Sequence, residues 1–256
     1  MEATARFWLT TRELRDPAGL ADHLDRFGLA LFEGQEPAHV FDAFRAVARP
    51  LAHRDSADDN VTRLSFRPEV AGKSGYDGFT RKAMPPHTDG SSMSRPPELV
   101  GIICASAASE GGSAILVDGG SVLEAMPEAA KSLAARRSAR FGTSRTDRAV
   151  VDVRKGRYFL RYREDGLMAA PRVEAELAAF REEMLRNLIE LPMPKGTGYI
   201  LQNGRWLHGR TRFIGHREML RMLGTSKRGA EDVPLVRFGF SAPWPTQELS
   251  VTTAGA

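Results

Sequence analysis

Residues 86–90 read Pro86-His87-Thr88-Asp89-Gly90, and this stretch decides how the rest of the chain is interpreted. His87 and Asp89 are two positions apart, so their side chains share a face only if the backbone is extended. The residue before a proline is driven toward extended conformations, and Pro85 and Pro86 precede the pair. The sequence therefore predicts a strand that presents an imidazole and a carboxylate to one metal ion.

The histidine–acid spacing carries little weight alone. The chain has 6 histidines and 32 acidic residues in 256 positions, so chance gives roughly one such pair. Four occur, and the other three are His23/Asp25, His53/Asp55 and His216/Glu218. His23 lies in a helical pattern, where its two side chains diverge. His53 lies in a charged loop. His216 adjoins Arg217, which is better explained as a residue that binds a carboxylate.

A third ligand is His208, in Trp206–Arg210 (WLHGR). Two neutral imidazoles and one carboxylate form the facial arrangement that holds Fe(II) and leaves open positions. Arg217 and Arg221 follow; four positions apart on a strand, they share a face and can bind a carboxylate through paired hydrogen bonds. The alternative for the two arginines is a solvated strand face.

Periodicity around these motifs predicts helices first and then many short strands. The predicted helices cover residues 14–27, 36–51, 122–137 and 173–191. The predicted strands cover residues 28–32, 99–105, 114–117, 149–153, 157–162, 198–201 and 218–224. Residues 52–86 are predicted as a polar loop, and 228–256 as an irregular C-terminal segment. This order favours a mainly β (α+β) sandwich or barrel with helices outside it, in one domain over 1–256.

Composition excludes several classes of protein. Hydrophobic residues make up 42% and charged residues 27% of the chain, as in ordinary globular domains. The longest apolar stretch, Leu99–Ala108, is about half a membrane span. The net charge of +4 comes without a basic run, so neither a nucleic-acid nor a membrane partner is predicted. One cysteine allows no intrachain disulfide, and the absence of a signal-peptide pattern predicts a cytoplasmic location. The oligomeric state is not predicted.

With these motifs in place, the sequence resembles the Fe(II)/2-oxoglutarate-dependent oxygenases of the taurine dioxygenase (TauD/TfdA) type, which include clavaminate synthase. The resemblance rests on motifs between residues 28 and 224. They are GLALFEG at 28–34, PHTDG at 86–90, EGGS at 110–113, LVDG at 116–119, QNGRWLHGR at 202–210 and the pair Arg217 and Arg221.

The resemblance implies a double-stranded β-helix, a jelly-roll or cupin-like barrel, with a jelly-roll core over residues 28–224. His87, Asp89 and His208 would be the catalytic iron ligands. 2-Oxoglutarate would chelate the iron, and its far carboxylate would pair with Arg217. Arg221 would help with this cosubstrate or with a substrate carboxylate, and Arg210 would lie on the substrate side.

One position departs from the family pattern. The family often has a threonine or serine where this chain has Ala114, so one hydrogen bond to the cosubstrate is missing or supplied elsewhere. Asp89 keeps the carboxylate ligand that related halogenases lack. Hydroxylation, or a related oxidation such as desaturation, epoxidation or ring formation, is therefore expected, with O2 consumed and succinate and CO2 released.

The substrate is predicted from position and charge. The polar segment Arg63–Lys82 is expected to cover the site, and Ser91, just after Asp89, is expected to line the pocket. Several arginines near the site favour an anionic or amino-acid-like small molecule, free or tethered to a carrier. Two alternatives stay open: a jelly-roll metalloenzyme of another class, such as a cupin-type isomerase or a dioxygenase without 2-oxoglutarate, and a non-catalytic binding module.

Overall fold

The computed structural model describes residues 2–70, 72–135, 137–154, 156–229 and 234–241. Their α-helices are α1 (Thr11–Leu14), α2 (Pro17–Phe27), α3 (Pro37–Val47), α4 (Gly119–Glu124), α5 (Pro127–Ala134) and α6 (Glu174–Arg186). Short 3-10 helices span Glu2–Phe7, Pro68–Val70 and Asp77–Phe79.

The strands are mostly short. In chain order they are β1 (Leu29–Phe32), β2 (Ala48–Pro50), β3 (Val61–Leu64), β4 (Met84–His87), β5 (Leu99–Ser106), β6 (Glu110–Gly111), β7 (Ala114–Asp118), β8 (Ala139–Phe141), β9 (Thr146–Arg148), β10 (Val151–Arg154), β11 (Arg157–Leu160), β12 (Met168–Ala169), β13 (Ile189–Leu191), β14 (Gly198–Gln202), β15 (Trp206–Arg210), β16 (Phe213–Ile214), β17 (Glu218–Ser226) and β18 (Phe240–Ser241).

Two antiparallel sheets form the centre of the protein. The larger runs in the order β1-β14-β5-β17-β2, and β3 also pairs with β17. The smaller runs in the order β13-β7-β15-β4. Leu31 and Ile102 of the larger sheet belong to the same buried cluster as Leu116 and Trp206 of the smaller one. The two sheets therefore pack face to face, as the sequence predicted for a β-sandwich or jelly roll with helices outside.

Helices cover the outer faces of both sheets. Leu24 of α2 and Phe44 of α3 pack with Ile103 and Ile200 on the outside of the larger sheet. The residues between β7 and β13 form an insert that covers the smaller sheet, where Phe180 of α6 joins the cluster that contains Leu207. None of the described helices combines the length and apolar character that a membrane crossing needs.

The predicted helices have different limits in the structure because local signals decide where each one starts and ends. The first starts only at Pro17, after the Asp16 side chain caps the backbone N–H of Ala18. The predicted helix 122–137 is split into α4 and α5 at Pro127, since proline fits the first turn of a new helix and not the interior of an old one. The predicted helix 173–191 ends at Arg186, and Ile189–Leu191 joins the smaller sheet as β13.

One further expectation changes and one is confirmed. The loop predicted over residues 52–86 is not wholly a loop, because it contains β3 and most of β4. The hairpin predicted over 149–162 is confirmed as the antiparallel pair β10–β11. Most of the C-terminal segment 228–256 lies outside the described residues, and its described part includes the short strand β18.

Candidate metal and cosubstrate site

The three predicted metal ligands come together at the end of the smaller sheet. His87 is the last residue of β4, and it lies opposite His208 in the antiparallel pairing of β4 with β15. One ligand atom from each of His87, Asp89 and His208 lies within 4.8 Å of the others. The Nε2 atom of His87 is 3.9 Å from Asp89 Oδ1, and that of His208 is 3.5 Å from Asp89 Oδ2.

Gly209 allows β4 to approach β15 this closely. A Cβ atom on Gly209 would lie 2.4 Å from the main-chain oxygen of Met84. The pairing is also irregular between His208 and Arg210, as at a β-bulge. The glycine of the WLHGR motif is thus required by the backbone contact that sets His87 beside His208.

The protonation of His87 suits a metal ligand. Its Nδ1 contacts the Pro85 carbonyl oxygen at 3.1 Å, and because a carbonyl only accepts, Nδ1 must donate and Nε2 carries the lone pair. Burial, with the nearby His208, lowers the pKa of His87 to about 3. The ring is therefore neutral at physiological pH, and two imidazoles with one carboxylate are donors that suit Fe(II).

Asn203 holds the backbone of Asp89, and sequence reasoning did not single it out. Its side-chain oxygen accepts the N–H of Asp89 at 2.8 Å, and its amide nitrogen donates to the main-chain oxygens of Asp89 and Pro97, both at 2.9 Å. Asn203 is fully buried. The signal was its place in the QNGRWLHGR motif, in the turn between β14 and β15.

Arg217 and Arg221 line one cavity with His87 and His208. Met219 lines it as well, so residues 217, 219 and 221 present one face, as the strand spacing predicted. Arg217 is buried, its Nη2 donates to the Gly112 carbonyl at 3.1 Å, and burial lowers its pKa. Gly112 has a φ of 76°, and a Cβ there would lie 2.9 Å from Arg217 Nε. Gly112 of the EGGS motif therefore makes room for this arginine.

Arg221 contacts the candidate metal ligand directly. Its Nη1 donates to both carboxylate oxygens of Asp89, at 2.9 and 3.1 Å. Burial by itself would raise the pKa of Asp89, but the charge of Arg221 and the hydrogen bond from His208 outweigh it and hold that pKa well below its usual range. Asp89 is thus an anion in the folded protein.

Arg210 and Ser91 have surroundings different from those expected. Arg210 lines the cavity, but its Nη2 donates to the main-chain oxygens of Asp77 and Thr80 and so fixes the turn that contains them. Burial lowers the pKa of Arg210 to about 10, and the charge of Arg217 adds to this. Ser91 is fully buried, does not line this cavity, and accepts from Arg161 through its main-chain oxygen. Ser91 therefore lies outside the wall of this cavity, and its contact with substrate stays a prediction.

Ala114 and Tyr199 face the same cavity. Ala114 supplies no hydrogen-bonding side chain. Tyr199, which sequence reasoning missed, is buried beside Arg217, and no hydrogen bond to its hydroxyl is found among the described residues. Burial raises the pKa of Tyr199, so the phenol stays protonated and can donate. The sequence gives no signal for Tyr199, because a tyrosine in an apolar strand such as β14 normally belongs to the core.

Two face-to-face antiparallel sheets with a His-Asp-His group beside an arginine-lined cavity define the class of mononuclear non-haem metalloenzymes. The chain belongs to the taurine catabolism dioxygenase TauD, TfdA family, whose model matches residues 10–223. The protein is therefore an Fe(II)- and 2-oxoglutarate-dependent oxygenase, and the predicted fold, enzyme class and cofactors are confirmed.

Solved structures support the same fold. An asparagine oxygenase in complex with Fe(II), 2S,3S-3-hydroxyasparagine and succinate superimposes with a TM-score of 0.67 at 15% identity, over 91% of this chain and 86% of that chain. The non-heme iron oxygenase OrfP in complex with Fe and alpha-ketoglutaric acid gives 0.64 at 13% identity, over 89% and 91%. OrfP in complex with Fe, succinate and (3S)-hydroxy-L-Arg gives 0.63 at 12% identity, over 89% and 91%. No curated protein matches the chain.

Proposed function

We propose that this oxygenase hydroxylates a small amino-acid-like molecule and that His87, Asp89 and His208 hold its Fe(II). The observation that carries the assignment is the convergence of these three donors beside the cavity of Arg217 and Arg221. When bound, the iron supplies the oxidation of 2-oxoglutarate by O2, with release of succinate and CO2, and the oxidation of the substrate C–H bond.

The chain's own residues position the reactants. The hydrogen bond from His87 Nδ1 to Pro85 fixes the ring, and Asn203 fixes the backbone of Asp89. Arg217 is suited to bind the far carboxylate of 2-oxoglutarate, because it is buried, cationic and not paired with a described carboxylate. The Tyr199 hydroxyl would supply the donor that Ala114 lacks.

An amino-acid-like substrate is supported by the structures with the same fold. The asparagine oxygenase binds a hydroxyasparagine, and OrfP binds a hydroxyarginine. The family match favours an oxygenase of this type over a cupin-type isomerase or a dioxygenase without 2-oxoglutarate. A cytoplasmic location and a single domain over residues 1–256 stay predictions.

The test uses purified protein with Fe(II), ascorbate and 2-oxoglutarate. We expect a visible charge-transfer band and slow succinate release without added substrate. His208→Ala should lose both while its unfolding transition remains cooperative. His39→Ala, at an exposed histidine of α3, is the matched control and should keep both. A wild-type protein with neither band nor succinate would refute the proposed function.

A further inference from the structure

A second cavity, of about 170 Å³, also reaches His87. It shares His87 and Met84 with the arginine-lined cavity and is otherwise bounded by two segments. One is the end of the polar segment, at Asp77 and Lys82, and the other is Arg163–Asp165, just after β11. Since both cavities reach the same candidate metal ligand, a molecule in the second one lies against His87 while 2-oxoglutarate fills the first.

Three of the five charged residues of this cavity are already neutralised. Arg163 pairs with Asp165, with 2.6 Å between Nε and Oδ1. Arg181 donates to Glu164 at 2.7 Å, and Tyr162 donates to the same carboxylate. These groups therefore shape the wall without leaving a free charge for a ligand.

Asp77 and Lys82 are different. Within the part of the chain that the structure describes, neither the Asp77 carboxylate nor the Lys82 ammonium makes a hydrogen bond or an ion pair. The backbone of Asp77 is nevertheless firmly held, because its carbonyl accepts from Arg210 Nη2 at 3.0 Å and from Thr80 Oγ1 at 2.9 Å. The cavity thus presents a carboxylate near the charge of Arg210 and an exposed ammonium group, neither of them in an ion pair among the described residues.

We infer that this second cavity binds the oxidised substrate as a free zwitterion, an α-amino acid whose ammonium group pairs with Asp77 and whose carboxylate pairs with Lys82. Opposite unpaired charges on one partly enclosed wall are complementary to a molecule that carries both charges. The cavity is partly open and has room for a small molecule. This inference rests on the proposed function, because it assigns the substrate of that same site.

The first test uses the wild-type protein with Fe(II), ascorbate and 2-oxoglutarate, and adds each of the twenty proteinogenic L-amino acids. We expect at least one to accelerate succinate formation. The N-acetyl derivative of that amino acid lacks the ammonium charge, and its carboxamide lacks the carboxylate charge. The kcat/KM for each derivative should be at least about tenfold lower than for the amino acid itself. Derivatives that react as well as the parent amino acid would overturn the inference.

The second test pairs changes in the protein with changes in the substrate. Asp77→Asn and Lys82→Met should each raise KM for the amino acid about tenfold. Asp77→Asn should have little further effect on KM for the N-acetyl derivative, and Lys82→Met little on KM for the carboxamide. In the crossed combinations, Asp77→Asn with the carboxamide and Lys82→Met with the N-acetyl derivative, the two losses should add. Lys73→Met removes an exposed lysine of the same segment that does not line the cavity and should leave the kinetics unchanged.

The two proposals fail in different ways. If the protein shows the charge-transfer band and uncoupled succinate release but no amino acid accelerates it, the zwitterion site is wrong and the oxygenase assignment stands. If band and succinate are both absent, the proposed function falls and the substrate site with it. Additive effects in every protein–substrate combination would place Asp77 and Lys82 outside the substrate site.

Discussion

Arg221 Nη1 lies between the two carboxylate oxygens of Asp89, at 2.9 and 3.1 Å, with both side chains almost entirely buried. The carboxylate that is predicted to bind iron is therefore paired with a protein cation. One nitrogen makes both contacts, so the arginine acts here as a point charge rather than as a two-pronged donor.

Replacing Arg221 with methionine should make the metal-free protein less stable. Removing one partner of a buried ion pair costs about 3 kcal/mol of unfolding free energy. A divalent cation would restore a positive charge next to Asp89. Added Mn(II) under anaerobic conditions should thus raise the Tm of Arg221→Met more than that of the wild type, because the metal binds the folded state. Arg221→Lys keeps a point charge, so its Mn(II)-induced rise in Tm should lie between those of the wild type and Arg221→Met. Equal metal-induced shifts in all three proteins would contradict this account.

Asn203 offers a test of backbone positioning. Asn203→Asp keeps the shape and the acceptor for the Asp89 N–H, but it loses both donated hydrogen bonds and places a negative charge against two carbonyl oxygens. We expect Fe(II) affinity to fall at least about tenfold, the usual scale for loss of an outer-shell partner. Titration of the charge-transfer band with Fe(II) measures this. Asn187→Asp, at the exposed end of α6, is the control. Unchanged iron affinity in a folded Asn203→Asp would remove the positioning role.

The Tyr199 hydroxyl is expected to supply the hydrogen bond to 2-oxoglutarate that Ala114 lacks. One neutral hydrogen bond contributes about 1 kcal/mol, so Tyr199→Phe should raise KM for 2-oxoglutarate about fivefold. Ala114→Ser adds a hydroxyl to the same cavity and should recover part of that loss in the double variant. Tyr76→Phe serves as the control because Tyr76 does not line the cavity. If Tyr199→Phe leaves the KM for 2-oxoglutarate unchanged, Tyr199 is not a donor to the cosubstrate, and Arg217 is the proposed donor to its far carboxylate.

Arg210 is expected to stabilise the polar segment rather than to recognise substrate alone. Arg210→Met removes the donors to the carbonyls of Asp77 and Thr80. Because these contacts come from a buried charged group, we expect a loss of about 2 kcal/mol in unfolding free energy and faster proteolysis within residues 63–82. Denaturant unfolding and limited proteolysis measure the two effects. If stability and cleavage stay at wild-type values while substrate KM rises, Arg210 has instead the substrate role that the family resemblance implied.

Several features were predictable from the sequence because their signals are local. The proline pair before His87 favours an extended backbone, and β4 ends at His87 with Asp89 just beyond it, where the ligand atoms of both come together. The alternation of Arg217, Met219 and Arg221 places both arginines in one cavity. The motif order from Gly28 to Arg221 led to the correct family, and the division into helices followed by strands led to the fold class. The helix ends were predicted less well, since capping at Asp16 and the break at Pro127 override the hydrophobic period.

The sequence by itself determined which residue types meet: two histidines, one carboxylate and a set of arginines, spread over more than half of the chain. Only the tertiary structure decided what each arginine does. Arg210, Arg217 and Arg221 line one cavity, yet their contacts are a turn, a glycine carbonyl and a buried carboxylate. The physical reason is that an arginine's role depends on the acceptor it reaches, and those acceptors come from segments far apart in the sequence. Asp77 and Lys82 became meaningful for the same reason, because only packing reveals which charges lack a partner.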